Sequence, residues 1–253
     1  MSDMSHITDH TLPPEGRGMK TLAAIPCHDE GLAIGSVVLK ARKYVDEVLV
    51  VDDGSTDDTV EVAEAAGAVV VSHGVNKGKG SAVRTSLGYA AEHGFDALVL
   101  LDGDGQHDPG EIPGLLEPIL NDAADIVIGF RSFGQMPVYR RFGRAVLDHV
   151  TGVGGAVTDS QSGFRALNRK AIQLLVGTLK KDDFSIESEM MRRSRDMNLR
   201  MTEVQIQCRY GDFDTSTKNP ISHGVGVLNS VIWLIAEKRP LLYTGVPIHT
   251  ISV

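Results

Sequence analysis

The strongest constraint on this chain is a unit that recurs along its first half: a short apolar run, an abrupt polar turn, then a stretch with helical spacing. The apolar runs are Lys20–Ile25, Glu47–Val51, Ala68–Ser72, Ala97–Leu101 and Asp125–Gly129, and each reads as a buried strand. Between them lie expected helices at Leu32–Tyr44, up to Ala66 with Gly67 as its stop, at Ser81–His93, and after Pro109. Such alternation predicts an α/β fold, a mainly parallel central sheet with helices on both faces. Pro26 is expected to end the first strand. Ser55 or Thr56 is expected to cap the second helix ahead of Asp57 and Asp58. Beyond residue 130 the pattern loosens. Phe130–Arg144 is rich in Arg and Gly, Ile186–Met197 reads as a helix, and Thr202–Cys208 as a strand with alternating faces.

Parallel strands end at one edge of their sheet, where open α/β folds place their ligands. The run Ala97–Leu101 stops at Asp102-Gly103-Asp104-Gly105-Gln106-His107. In an extended backbone, side chains two apart share a side, so Asp102 and Asp104 can converge on one cation. Two carboxylates completed by substrate phosphates suit Mg²⁺ or Mn²⁺. Taken alone the motif is equally a solvated acidic turn, since Asp and Gly are ordinary turn residues. A calcium loop fits worse, because Gln106 and His107 stand where that loop wants an acidic or amide residue and then Gly. Asn76–Ser81 is not a Walker A loop, because Gly78-Lys79 is followed by Gly80. Nor is it a dinucleotide fingerprint, because Val83 stands where the third small residue belongs.

The net charge of −8 argues against a general nucleic-acid binder. Two distant cysteines, Cys27 and Cys208, make neither a disulfide framework nor a zinc site, which points to a reducing setting. Residues 1–18 lack an apolar core and read as a flexible leader rather than a signal peptide. No window reaches the run of about 18 apolar residues needed to span a bilayer. Val225–Ala236 is the nearest, and reads either as a helix lying in a membrane interface or as a buried core helix.

Taken in order, IPCHDEG, VVDDGSTDDT, NKGKGSAVR, LLDGDGQHDP, DSQSGFRA and FSIESEM resemble the motifs of family 2 glycosyltransferases. Within that family the chain is most similar to polyprenyl-phosphate sugar synthases of the dolichol-phosphate mannose synthase type. The resemblance spans about Lys20–Pro240. It implies a GT-A fold, a Rossmann-like three-layer sandwich, over residues 19–220, with residues 221–253 an amphipathic or membrane-facing segment. It implies nucleotide contacts from Pro26, Glu30, Asp52, Asp53, Lys79, Gly80, Arg84 and Asp102. Asp102, Asp104 and Gln106 would hold Mg²⁺ or Mn²⁺. The catalytic set would be Asp159, Arg165 and Glu189. Glu187 and Glu189 stand two apart on a helix and cannot share a face, so one of them reaches the site, and Glu189 is favoured. Arg131 and Arg141, with Arg140 and Arg144, would capture the acceptor phosphate, although such a run is equally a solvated helix face.

The implied reaction moves a sugar, with inversion, from a nucleotide-diphosphate sugar (GDP-mannose, a UDP-hexose or a UDP-N-acetylhexosamine) to a polyprenyl phosphate. It would take place at the cytoplasmic face of a membrane that the protein touches peripherally. A phosphate acceptor with a second pKa of about 6 is already mostly ionised near pH 7, so Asp159 would need only to position it. A sugar-hydroxyl acceptor on a growing glycan would instead require Asp159 as a base. The non-enzyme alternative is a nucleotide-sugar binding module.

Overall fold

A computed structural model describes residues 18–131, 162–183 and 185–206. Its strands are β1 (Thr21–Cys27), β2 (Glu47–Asp52), β3 (Val69–Ser72), β4 (Ala97–Leu100), β5 (Ile126–Arg131), β6 (Arg165–Asn168) and β7 (Met201–Ile206). Its helices are α1 (Gly31–Ala41), α2 (Thr59–Ala65), α3 (Lys79–Glu92), α4 (Ile112–Leu120), α5 (Arg169–Leu175) and α6 (Ile186–Asp196), with a 3₁₀ turn at Pro109–Glu111 before α4. The leader and the segment from residue 207 onward, including Val225–Ala236, lie outside the described residues.

The strands form one sheet in the order β3-β2-β1-β4-β6-β5-β7. Among the described strands only β6 runs against its neighbours: β4 and β5 both pair with it antiparallel, and the remaining described pairs are parallel. Strand residues alternate between two cores, as a pleated backbone requires. Leu22, Ala24, Leu98 and Leu100 face a layer with Val83 and Leu87 of α3, Ile172 of α5 and Met190 of α6. Ala23, Ile25, Ala97 and Val99 face the other, with Ile34 and Val38 of α1, Ala63 of α2 and Leu115 of α4. Full burial of each leucine or isoleucine in these layers contributes about 1.5–3 kcal/mol. The result is the expected three-layer sandwich.

The chain runs outward from β1 to β3, then returns to lay β4 on the other flank of β1. That reversal opens a crevice between the C-terminal ends of β1 and β4, where such folds bind ligands. The antiparallel β6 sharpens it. Its residue Arg165 stands opposite Leu100, so the chain entering β6 lies beside the loop leaving β4.

Three local expectations differ from the structure. Pro26 does not break β1 but pairs with Val51 inside it. Ala24 turns its carbonyl toward β4, accepting from Leu101 N–H, so Pro26, two residues on, faces the same flank. The β1–β4 register has ended there at Ala24–Leu100, and the missing N–H costs no ladder bond. Helix α2 begins at Thr59, later than Ser55 or Thr56 would place it, because both of those residues are engaged with Asp29. Strand β6 and helix α5 are additions. The side chain of Asn168 caps α5 by accepting from Ala171 N–H at 2.8 Å.

Among the described residues no helix is long and apolar enough to cross a membrane. The far half of the sheet is tied by Asp125, which is fully buried. It accepts from Arg200 N–H at 2.8 Å, from Asn168 at 2.9 Å and from Lys170 at 3.3 Å, joining the starts of β5 and β7 to the end of β6. Burial alone would raise its pKa, but these donors, Arg200 foremost, hold it well below its ordinary 3.8. A depressed carboxylate contributes stability above its unfolded value and loses it as pH falls. Asp125→Asn should therefore lower unfolding free energy at pH 7 by about 2–4 kcal/mol. In denaturant titrations the gap from wild type should narrow as pH drops below 3.8.

Candidate active site

The loops leaving β1, β2 and β3 are braced against one another by acidic side chains. Asp29 accepts from Thr56 N–H at 2.8 Å, while its own N–H reaches Ser55 Oγ at 2.9 Å. Asp52 is buried. Burial pushes its pKa up, but hydrogen bonds from Ser55 and Ser72 outweigh that and leave it lowered. Asp53, 3% exposed, accepts from Lys77 N–H at 3.0 Å and Gly78 N–H at 2.7 Å, and meets His73 Nδ1 at 2.8 Å. Asp53 thus fastens the loop 73–78 to the end of β2. The resemblance implies nucleotide contacts from Asp52 and Asp53; in the structure both carboxylates are buried and accept hydrogen bonds from the loops around them.

The crevice itself centres on Asp102. Lys79 Nζ lies 2.6 Å from Asp102 Oδ1 and 3.0 Å from Glu187 Oε1. Burial would lower the Lys79 pKa, but the fields of Asp102 and then Glu187 raise it above the ordinary lysine range. Pro26, Gly163 and Arg165 line the same cavity. Gly163 is there by necessity: a Cβ at that position would stand 2.6 Å from Asp102 Oδ2. Arg165 is 1% exposed, and its guanidinium donates to the carbonyls of Ser162 at 2.8 Å and Glu187 at 3.1 Å. It bolts the start of β6 to the first turn of α6 and brings a positive charge to the cavity wall.

Asp104 Oδ1 accepts from Gln106 N–H at 2.9 Å, which turns the loop after β4. His107 is buried against the Phe164 ring, with centroids 5.2 Å apart. The carboxyl of Glu30 is pushed up to about 7, by burial first and then by the nearby charges of Asp104 and Asp102. Among the described residues no three His, Cys, Asp or Glu side chains gather tightly enough to enclose a metal ion. Asp102 and Asp104, two carboxylates on one loop, are hard oxygen donors of the type a divalent cation would take together with phosphate oxygens.

Of the other residues singled out from sequence, several have different occupations. Helix α3 starts at Lys79, so the lysine belongs to its first turn rather than to a loop. At its N-terminus the Gly80 N–H is taken by Asp182 O at 2.9 Å. Gly78, at φ 90°, lies where a Cβ would overlap that same carbonyl. Arg84 binds the Lys181 carbonyl and the Asp182 carboxylate rather than facing the crevice. Glu189 accepts from Lys180 and Lys181 N–H groups, each at 2.9 Å. Of the two glutamates on α6, Glu187 meets Lys79 at the crevice and Glu189 anchors the segment before the helix. Sequence spacing separates the pair but does not orient it, and the favoured choice is reversed. Arg131 ends β5 and is described by its backbone alone, and Asp159, Arg140, Arg141 and Arg144 fall outside the described residues.

Residues 23–172 match the family described as glycosyl transferase family 2, and the chain belongs to that family. It is 29% identical over 235 residues to a UDP-N-acetylglucosamine–dolichyl-phosphate N-acetylglucosaminyltransferase of Methanococcus voltae, covering 83% of this chain and 94% of the relative. It is 29% identical over 236 residues to the undecaprenyl-phosphate mannosyltransferase of Micrococcus luteus, covering 87% and 96%. The GT-A fold is shared with glucosyl-3-phosphoglycerate synthase of Mycobacterium tuberculosis in complex with phosphoglyceric acid. That match has a TM-score of 0.69 and 25% identity, and covers 92% of this chain and 84% of that one. The same synthase has been solved with Mn²⁺ and UDP, a form 24% identical with a TM-score of 0.68, covering 93% and 82%. The protein is a glycosyltransferase.

The two glutamates of α6 should separate in a paired kinetic and thermal test. Glu187→Gln should lower kcat/KM about tenfold or more with little change in Tm, because it removes a negative charge facing Lys79. Glu189→Gln should cost about 1 kcal/mol of stability by weakening the acceptor for two backbone N–H groups. The opposite pattern would assign the site to Glu189.

Proposed function

We propose that this chain transfers a sugar from a nucleotide-diphosphate sugar to a polyprenyl phosphate, with inversion and with Mg²⁺ or Mn²⁺. The observation that carries this reading is the set of side chains gathered at the end of β4: Asp102 within 2.6 Å of Lys79, with Asp104 two residues on. It is supported by the two relatives named for polyprenyl-phosphate acceptors and by the synthase structure holding Mn²⁺ and UDP.

In this reading Asp102, Asp104 and Gln106 hold the divalent ion, which when bound supplies Lewis-acid neutralisation of the departing diphosphate. The loops of Pro26, Glu30, Asp52 and Asp53 receive the base and ribose. Lys79 donates to diphosphate oxygens, and the buried charge of Arg165 stabilises the anion that develops as the anomeric C–O bond breaks. The acceptor phosphate oxygen attacks from the opposite face. Arg131 and Arg141 orient that phosphate, and Asp159 positions it. Because the phosphate is already mostly ionised near pH 7, no proton need be removed. Residues 19–220 form the catalytic unit, and residues 221–253 meet the membrane at its cytoplasmic face.

A second reading, a hydroxyl acceptor bearing its own charge, has one observation in its favour: the fold match holding phosphoglyceric acid. Incubation with Mn²⁺, a panel of UDP- and GDP-sugars, and either a short polyprenyl phosphate or phosphoglyceric acid separates the two. The proposal expects a sugar–lipid product from at least one donor. It expects a loss of about a hundredfold or more in Asp104→Ala. Product only on the hydroxyl acceptor would overturn it.

A further inference from the structure

We propose that Lys79 is a built-in stand-in for the divalent cation: its ammonium neutralises Asp102 until metal and diphosphate arrive, and is then handed to Glu187. The inference rests on the reading that Asp102 and Asp104 hold that ion. Lys79 lies 2.6 Å from the same carboxylate the metal would use, in a pair whose side chains are 18% and 25% exposed. A partly buried ion pair is screened less than a fully exposed one, so losing it opposes any cation that competes for Asp102.

Glu187 makes the exchange feasible. It already holds Lys79 at 3.0 Å through Oε1. It is 6% exposed, and its other oxygen, Oε2, is buried with no hydrogen-bond partner among the described residues. Lys79 can therefore leave Asp102 without losing all its compensation, and Glu187 has an acceptor in reserve for the ammonium's other N–H groups. A metal ion arriving alone displaces the lysine and offers it nothing. A metal ion arriving with a diphosphate gives the ammonium phosphate oxygens to bind. Metal and nucleotide should consequently bind with positive coupling, and the coupling should run through this one side chain.

The test is Mn²⁺ binding by the full chain, followed by electron paramagnetic resonance, with neither sugar nor lipid present. Lys79→Met should bind Mn²⁺ about tenfold tighter than wild type in the absence of nucleotide. Adding UDP or GDP should tighten Mn²⁺ binding more in wild type than in the variant. Lys77→Met, which removes the same charge two residues away, should stay within about threefold of wild type. Equal gains in the two variants, or none in Lys79→Met, would overturn the proposal. In wild type, the ¹³C-methylated Lys79 resonance, assigned by its absence from Lys79→Arg, should shift when Mg²⁺ and UDP or GDP are added; no shift would overturn it independently of the fold of Lys79→Met. Absence of Mn²⁺ binding in every form, nucleotide included, would instead overturn the metal reading beneath it.

Discussion

Lys79 and Asp102 meet at 2.6 Å just beyond the ends of two adjacent parallel strands, and much of the described structure serves to keep them there. Asp102 is carried by the loop that leaves β4, and Lys79 by the first turn of α3. Neither position is secured locally. Helix α3 is pressed onto the sheet by Ala82, Val83, Leu87 and Ala90, so its N-terminus is delivered to the crevice by apolar burial. A charge pair of this kind costs desolvation that its own attraction only partly offsets, and a packed scaffold supplies the difference.

The surrounding hydrogen bonds show how that scaffold is tuned. Glu189 collects the N–H groups of residues 180 and 181, Arg84 and Gly80 take up the carbonyls of 181 and 182, and Arg165 spans from Ser162 to Glu187. These bonds join α3, β6 and α6 into a frame around Glu187 and Lys79. Gly163 leaves room for the chain entering β6 to pass against Asp102. Asp53, Arg84 and Glu189, whose types suggested ligand contact, each also hold a neighbouring segment in place.

The parallel sheet, its first four loops and the placement of Asp102 were legible in the sequence because apolar runs and polar turns alternate there at a regular spacing. Strand β6 was not. Four residues, RALN, carry too little alternation to announce a strand, and their pairing with β4 joins positions far apart in the chain. Pro26 misled because a proline's cost depends on which neighbour its missing N–H would face, and that is a property of the sheet. The glutamates of α6 misled for a related reason. Their spacing sets the angle between them, while the segment ahead of the helix decides which one points inward. Arg84 was conspicuous in its motif, but its partners lie almost a hundred residues away.

The central proposal is that the carboxylates after β4 hold a divalent cation against the donor's diphosphate. Anomalous diffraction from crystals grown with Mn²⁺ and UDP or GDP tests it directly. The prediction is a manganese peak about 2.1 Å from a carboxylate oxygen of Asp102 or Asp104, with diphosphate oxygens completing its shell. Nucleotide bound in the crevice with manganese elsewhere, or with none, would contradict it.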